Sequence, residues 1–177
     1  VIVALRALDG AKHLDAFLDR TGPAETDPGV RKEARAALMA VLAGSDAERI
    51  ASVVERLAER GDPPEQRLAA SEMLVAALRT EKSPRLPEGL RRLGRDLLAA
   101  DRPSEAAGHL AEAYDALAER DDPNARAAWS GWLEALLAVP DPRAGEALAR
   151  APDANALANG FEATRDRIAG LIEAGQH

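Results

Sequence analysis

Leu57-Ala58-Glu59-Arg60-Gly61-Asp62-Pro63 returns sixty residues later as Leu117-Ala118-Glu119-Arg120-Asp121-Asp122-Pro123. Each copy closes one helical stretch and opens another. Leu, Ala, Glu and Arg are strong helix formers. The Asp that follows is an N-cap acceptor, set before a proline suited to a first helical turn. Asp27-Pro28 and Asp141-Pro142 repeat that opening signal. Ser45 with Glu48, and Asp62 with Glu65, read as capping boxes. Gly10, Gly44 and Gly61 stand where helices would end, and Lys82-Ser83-Pro84-Arg85-Leu86-Pro87 is a clear break.

Outward from these marks the apolar period is helical. Ile50, Val53, Val54 and Leu57 fall at i, i+3, i+4 and i+7. Val30, Ala34, Ala37, Leu38, Val41 and Leu42 form one stripe, and Trp129, Trp132, Leu133, Leu136 and Leu137 another. The pattern predicts about ten helices: 1–8, 11–20, 29–43, 46–60, 63–80, 87–100, 103–120, 123–139, 142–150 and 154–174. The short connections between them predict antiparallel neighbours.

Composition agrees. The 177 residues include 40 Ala and 23 Leu against 8 Val, 4 Ile and 4 Thr, and aromatics are 3%. Sheets want β-branched and aromatic residues, so the fold class expected is all-α. Thirty acidic residues against 23 basic give a net charge of −7. Nucleic-acid binders neutralise phosphates and stack bases, so no nucleic-acid partner is expected of this chain. There is no cysteine, which removes disulfides and thiolate chemistry. No apolar run approaches the roughly 18 residues of a membrane helix, so no membrane insertion is expected. The absence of cysteine leaves the compartment open, with a soluble, cytoplasmic protein the favoured expectation. The chain starts at Val1 rather than Met, which suggests that a native N-terminus precedes it.

The segment Asp27-Pro28-Gly29-Val30-Arg31-Lys32-Glu33-Ala34-Arg35-Ala36-Ala37-Leu38 resembles the second helix of a HEAT repeat. Aligning Asp27 on Asp62 brings Leu38 onto Met73; aligning it on Asp122 brings Arg31 onto Arg126 and Leu38 onto Leu133. Residues 46–80 and 105–138 look like weaker copies, with Gln66 departing from the Arg of the pattern. From Pro87 to Arg120, Leu90, Leu93, Gly94, Leu97, Ala106, Leu110 and Ala113 resemble a tetratricopeptide repeat, with Ala118 in place of its proline. The resemblance implies a right-handed α-α superhelix, a solenoid of about five antiparallel hairpins. Residues 1–140 would hold the repeats and 141–177 a degenerate helical cap of the same solenoid.

Such a stack implies a non-catalytic scaffold for a protein or peptide partner. Arg91 and Arg95, four apart on one helix face, fall at groove-facing positions of the tetratricopeptide alignment, where Arg forks suit a peptide carboxylate. A solvated face opposite Leu90, Leu93 and Leu97 explains them with less. Trp129 and Trp132 are candidate partner anchors, although their place on an apolar stripe favours core packing. Arg31 and Arg126 would form a basic ladder or, more simply, pair with Asp27 and Asp122. Arg60-Gly61-Asp62 matches a cell-adhesion tripeptide, but it also makes a helix end.

No Ser-His-Asp order, HExxH helix, phosphate-cradling loop or dinucleotide fingerprint is present. No enzyme activity, metal or cofactor is expected. Two alternatives remain: a nucleic-acid glycosylase-like enzyme on a HEAT-like fold, or a purely structural spacer or dimerisation segment. The glycosylase reading needs Trp129 or Trp132 exposed beside a carboxylate.

Overall fold

The computed structural model describes residues 11–22, 25–139 and 141–173. Among these residues there are nine helices and no strand, so the fold is all-α. They are α1 (Ala11–Thr21), α2 (Pro28–Leu42), α3 (Ala47–Glu59), α4 (Pro64–Thr80), α5 (Leu86–Ala99), α6 (Pro103–Ala118), α7 (Ala125–Ala138), α8 (Ala144–Ala149) and α9 (Ala154–Glu173). Each end lies within two residues of its expected place. The helix expected over 1–8 lies outside the described residues.

The chain forms two compact units, Val1–Pro84 and Arg85–His177. In the first, α1 packs on α2, and α4 packs on both α2 and α3. Its core holds Leu18, Leu38, Leu42, Ile50, Val54 and Leu57, all buried. Gln66 is buried in this unit and donates through Nε2 to Thr21 Oγ1 at 2.7 Å. Thr21 in turn donates to Leu18 O at 2.8 Å, so α1 and α4 are joined by a buried polar chain. A buried arginine would need a counter-charge there, which is the physical reason a neutral amide suits the position where the repeat pattern has Arg.

In the second unit α6 packs against α5 and α7, and α7 also meets α5, α8 and α9. Leu90, Leu97, Leu110, Leu117 and Leu136 are fully buried between them. Leu110 of α6 fits a notch made by two glycines: a Cβ on Gly94 of α5 would lie 2.4 Å from Leu110 Cγ, and one on Gly131 of α7 would lie 3.3 Å from Leu110 Cδ1.

Four helices end in one way. Leu57 O, Leu78 O, Leu97 O and Leu117 O accept from the N–H five residues on, at 3.1, 2.9, 2.9 and 3.0 Å. The residue before each donor is left-handed: Gly61 (φ 66°), Lys82 (51°), Asp101 (57°) and Asp121 (51°). This is the Schellman turn, which satisfies the last carbonyls of a helix. The turn is written in sequence as Leu-x-x-x-[left-handed]-x-Pro at 57–63, 78–84, 97–103 and 117–123. The recurring heptapeptide of the opening reading is therefore one turn built twice, with Asp121 doing what Gly61 does. Only glycine takes that conformation without a Cβ penalty of about 1–2 kcal/mol. Lys82→Gly, Asp101→Gly and Asp121→Gly should each raise stability by about 0.5–1 kcal/mol after the extra unfolded-chain entropy of glycine is subtracted. Gly61→Ala should lower it by a similar amount; urea midpoints at constant slope check all four.

Asp27 caps α2 as expected, accepting from Gly29 N at 2.7 Å and Val30 N at 3.2 Å. Other caps differ from expectation. Asp46, not Ser45, caps α3 by accepting from Arg49 N at 2.9 Å, while Ser45 Oγ donates back to Val41 O. After Asp62, Asp122 and Asp141 the helices start two or three residues on; Asp122 and Asp141 are engaged in the turn itself, and Asp62 is drawn to a side chain. Asp122 accepts from Asn124 N, Asp141 from Arg143 N, and Asp62 from Arg60 Nε. Such side-chain turns compete with capping.

Candidate functional site

Helix α7 is the centre of the best-formed surface in the second unit. Its exposed polar residues Arg126, Ser130 and Glu134 recur every four positions, while Ala128, Trp129, Trp132, Leu133 and Leu136 are buried. The period of an α-helix makes that recurrence a single polar ridge. A concavity flanks the ridge on each side.

The first lies between α5 and α7 and measures about 410 Å³. Arg95 and Leu98 of α5 face Ala127, Ser130 and Glu134 of α7 across it. Arg95 and Glu134 are both exposed, and no ion pair joins them among the described residues. The second lies between α7 and α9 and measures about 350 Å³. Its floor is apolar, with Trp129, Leu133, Leu137 and Ala163; Ser130, Glu134 and Arg167 also line it. Arg167 Nη2 donates to Ala138 O at 3.2 Å, which ties α9 to the end of α7. Gly160 permits the approach of α9: a Cβ there would lie 2.7 Å from Leu148 Cδ2 and 3.0 Å from Leu133 Cδ2 and Trp129 Cη2.

The structure separates the two arginines expected to act together. Arg95 lines the α5–α7 concavity, whereas Arg91 does not. Arg91 is half-buried, and its Nε has no acceptor. Burial, with Arg95 and Arg92 nearby, lowers its pKa below the ordinary arginine value, against the opposing pull of Glu88 and Asp122. The helical step of four is the same in both readings, but neighbouring packing turns one side chain inward.

Trp129 and Trp132 are each 3% exposed, so neither ring is presented to a partner or able to stack on an extruded base. Both rings hold the chain's own α8. Trp129 Nε1 donates to Ala147 O at 2.7 Å. Trp132 stacks on Tyr114 with centroids 6.1 Å apart, and the Arg150 guanidinium sits 5.3 Å from both rings. Arg150 also pairs with Asp115. A six-residue helix cannot persist alone, and these contacts supply what it lacks.

The basic ladder also divides. Arg126 pairs with Asp153 at 3.3 Å rather than with Asp122. Arg31 does not pair with Asp27, whose carboxylate is occupied by the cap. In Arg60-Gly61-Asp62 the aspartate is 2% exposed and bonded to Arg60, which also pairs with Asp19 at 2.7 Å. That tripeptide is a turn with its carboxylate turned inward.

Ser130, Glu134 and Arg167 were not singled out by sequence, although the polar ridge 126–130–134 was there to be found in an otherwise apolar helix. Among the described residues no group of three or more His, Cys, Asp or Glu could hold a metal ion, and no helix is long and apolar enough to cross a membrane. Protein-family models, curated proteins and solved structures were all compared with the chain, and none matches.

Proposed function

We propose that this chain is a non-catalytic scaffold of helical hairpins, stacked as a right-handed solenoid of HEAT- or tetratricopeptide-like units, that binds a protein or peptide along α5, α7 and α9. The observation that carries this reading is the pair of concavities sharing Ser130 and Glu134 on one helix. Contacts between helices two apart, α5 with α7 and α7 with α9, support it, because stacked hairpins bring alternate helices together in that way. The α5–α7 concavity offers one unpaired charge of each sign, and the α7–α9 concavity offers an apolar floor. A segment with a carboxylate, a base and a large apolar side chain complements that combination.

The test is selection of short peptides against the chain, followed by affinities for charge-reversed variants. Arg95→Glu is expected to weaken selected peptides about tenfold, which corresponds to about 1.4 kcal/mol. Reversing a peptide acid to Lys should restore binding to that variant. Peptides that bind wild type, Arg95→Glu and Glu134→Arg equally would sink the reading.

A dimerisation segment is favoured by one observation: Phe161 and Ile168, seven apart on α9, are 58% and 53% exposed. Sedimentation separates the two readings, since a dimerisation face loses self-association on Phe161→Ser with Ile168→Ser, and a monomeric wild type excludes it.

A further inference from the structure

A third concavity, this one with unbalanced charge, lies on α2 in the first unit. Pro28, Arg31, Lys32 and Arg35 recur at helical steps along one side of that helix, and together they line a concavity of about 300 Å³. Both guanidiniums are oriented by backbone rather than by carboxylates. Arg31 Nη2 donates to Glu25 O at 2.6 Å, and Arg35 Nε donates to Thr21 O at 2.9 Å. A carbonyl positions a guanidinium without cancelling its charge, and it leaves the other N–H donors of the fork to bind something else.

The two acids just before α2 are spent on backbone, and Glu33, within the helix, is exposed and does not line the concavity. Glu25 Oε1 accepts from Asp27 N at 3.0 Å, and Asp27 Oδ1 accepts from Gly29 N and Val30 N. The cap therefore fills the first-turn amides of α2, and an incoming anion meets side chains instead of a helix end. Among the described residues no carboxylate pairs with Arg31, Lys32 or Arg35. Arg31 Nε is shut off from solvent with no acceptor.

We propose that this concavity binds a tetrahedral oxyanion, with the phosphate monoester dianion as the ligand class. Three cations exceed what one carboxylate neutralises. A phosphate group carries about −1.5 to −2 at pH 7 and presents three acceptor oxygens, which suit two forks and an ammonium. The lining is four residues over about two turns of one helix, an extent that suits a single phosphate group rather than a polyanion strand.

The experiment is an NMR and calorimetric titration of the full chain with inorganic phosphate, O-phosphoserine, acetate and a short single-stranded oligonucleotide, all at matched ionic strength. Saturable binding of phosphate or phosphoserine is expected, with shifts confined to the Arg31, Lys32 and Arg35 side chains. Tighter binding of free phosphate identifies the ion itself as ligand; tighter binding of phosphoserine identifies an organic carrier. Lys32 is exposed and makes no bond that folding depends on, so Lys32→Gln keeps the fold; it should weaken binding about three- to tenfold, as expected on losing one charge-assisted contact. Arg165→Gln, the same charge change in the other unit and outside the concavity, should leave it within about twofold. Equal binding of acetate, equal effects of the two variants, or an oligonucleotide that binds far more tightly than phosphoserine would each overturn the proposal.

Discussion

Trp129→Ala is expected to destabilise the second unit by about 3–5 kcal/mol, the range for truncating a buried aromatic residue. The ring is buried against α8 and α9, and its indole N–H holds the carbonyl of Ala147. Truncation opens a cavity and strands that carbonyl at once. Because α8 has only six residues, the loss should extend beyond the substituted site to the docking of α8 itself. Trp129→Phe keeps most of the ring and drops the hydrogen bond, so about 1–2 kcal/mol is expected. Chemical denaturation of the three proteins, followed by circular dichroism, measures both steps. Equal loss in the Phe and Ala variants would mean that the hydrogen bond, not the packing, carries the effect.

Gly94→Ala should cost about 1–3 kcal/mol by overpacking, although alanine is the better helix former by about 1 kcal/mol. The new methyl would sit 2.4 Å from Leu110 Cγ, and Leu110 is fully buried with Gly131 on its other side. The overlap falls at the branch point of leucine, which cannot swing clear as a chain end can. Gly131→Ala meets the same side chain at 3.3 Å, so its cost should be much smaller or absent. A double variant, Gly94→Ala with Leu110→Ala, tests the account by thermodynamic cycle: the two changes should couple favourably, by about 0.5–3 kcal/mol. Purely additive losses would show that Leu110 is not the obstacle.

The helices were legible because their signals are local and redundant. The stripe Ile50, Val53, Val54 and Leu57 is entirely buried, and Asp27 caps α2 where a reading of Asp-Pro placed it. Local rules failed where one side chain had two local uses. Asp122 and Asp141 each accept an amide of their own turn, and Asp62 is held by the Arg60 side chain, so none caps in the expected way. The left-handed ends at Lys82, Asp101 and Asp121 escaped a search for glycine, although the proline two residues after each marks the same turn. The candidate site was harder still. Arg95 was found, but the concavity it lines needs Ser130 and Glu134 from a helix that starts about thirty residues later in the chain. Periodicity fixes which side of a helix faces solvent; it cannot say which exposed sides of two helices meet across a groove.

The four matching turns begin at residues 57, 78, 97 and 117, about twenty residues apart. The punctuation therefore closes the four consecutive helices α3 to α6, and the helices on either side of the turns at 57, 97 and 117 pack on each other. Such an array has a parity rule. Within one unit, inserting or deleting one twenty-residue cassette would reverse the run of the helices that follow it there and present their other ends to their neighbours. Inserting or deleting two would restore the direction and leave each turn as it was. Growth of such a chain by duplication is thus neutral in steps of about forty residues and disruptive in steps of twenty, even though the shorter piece carries a complete turn of its own.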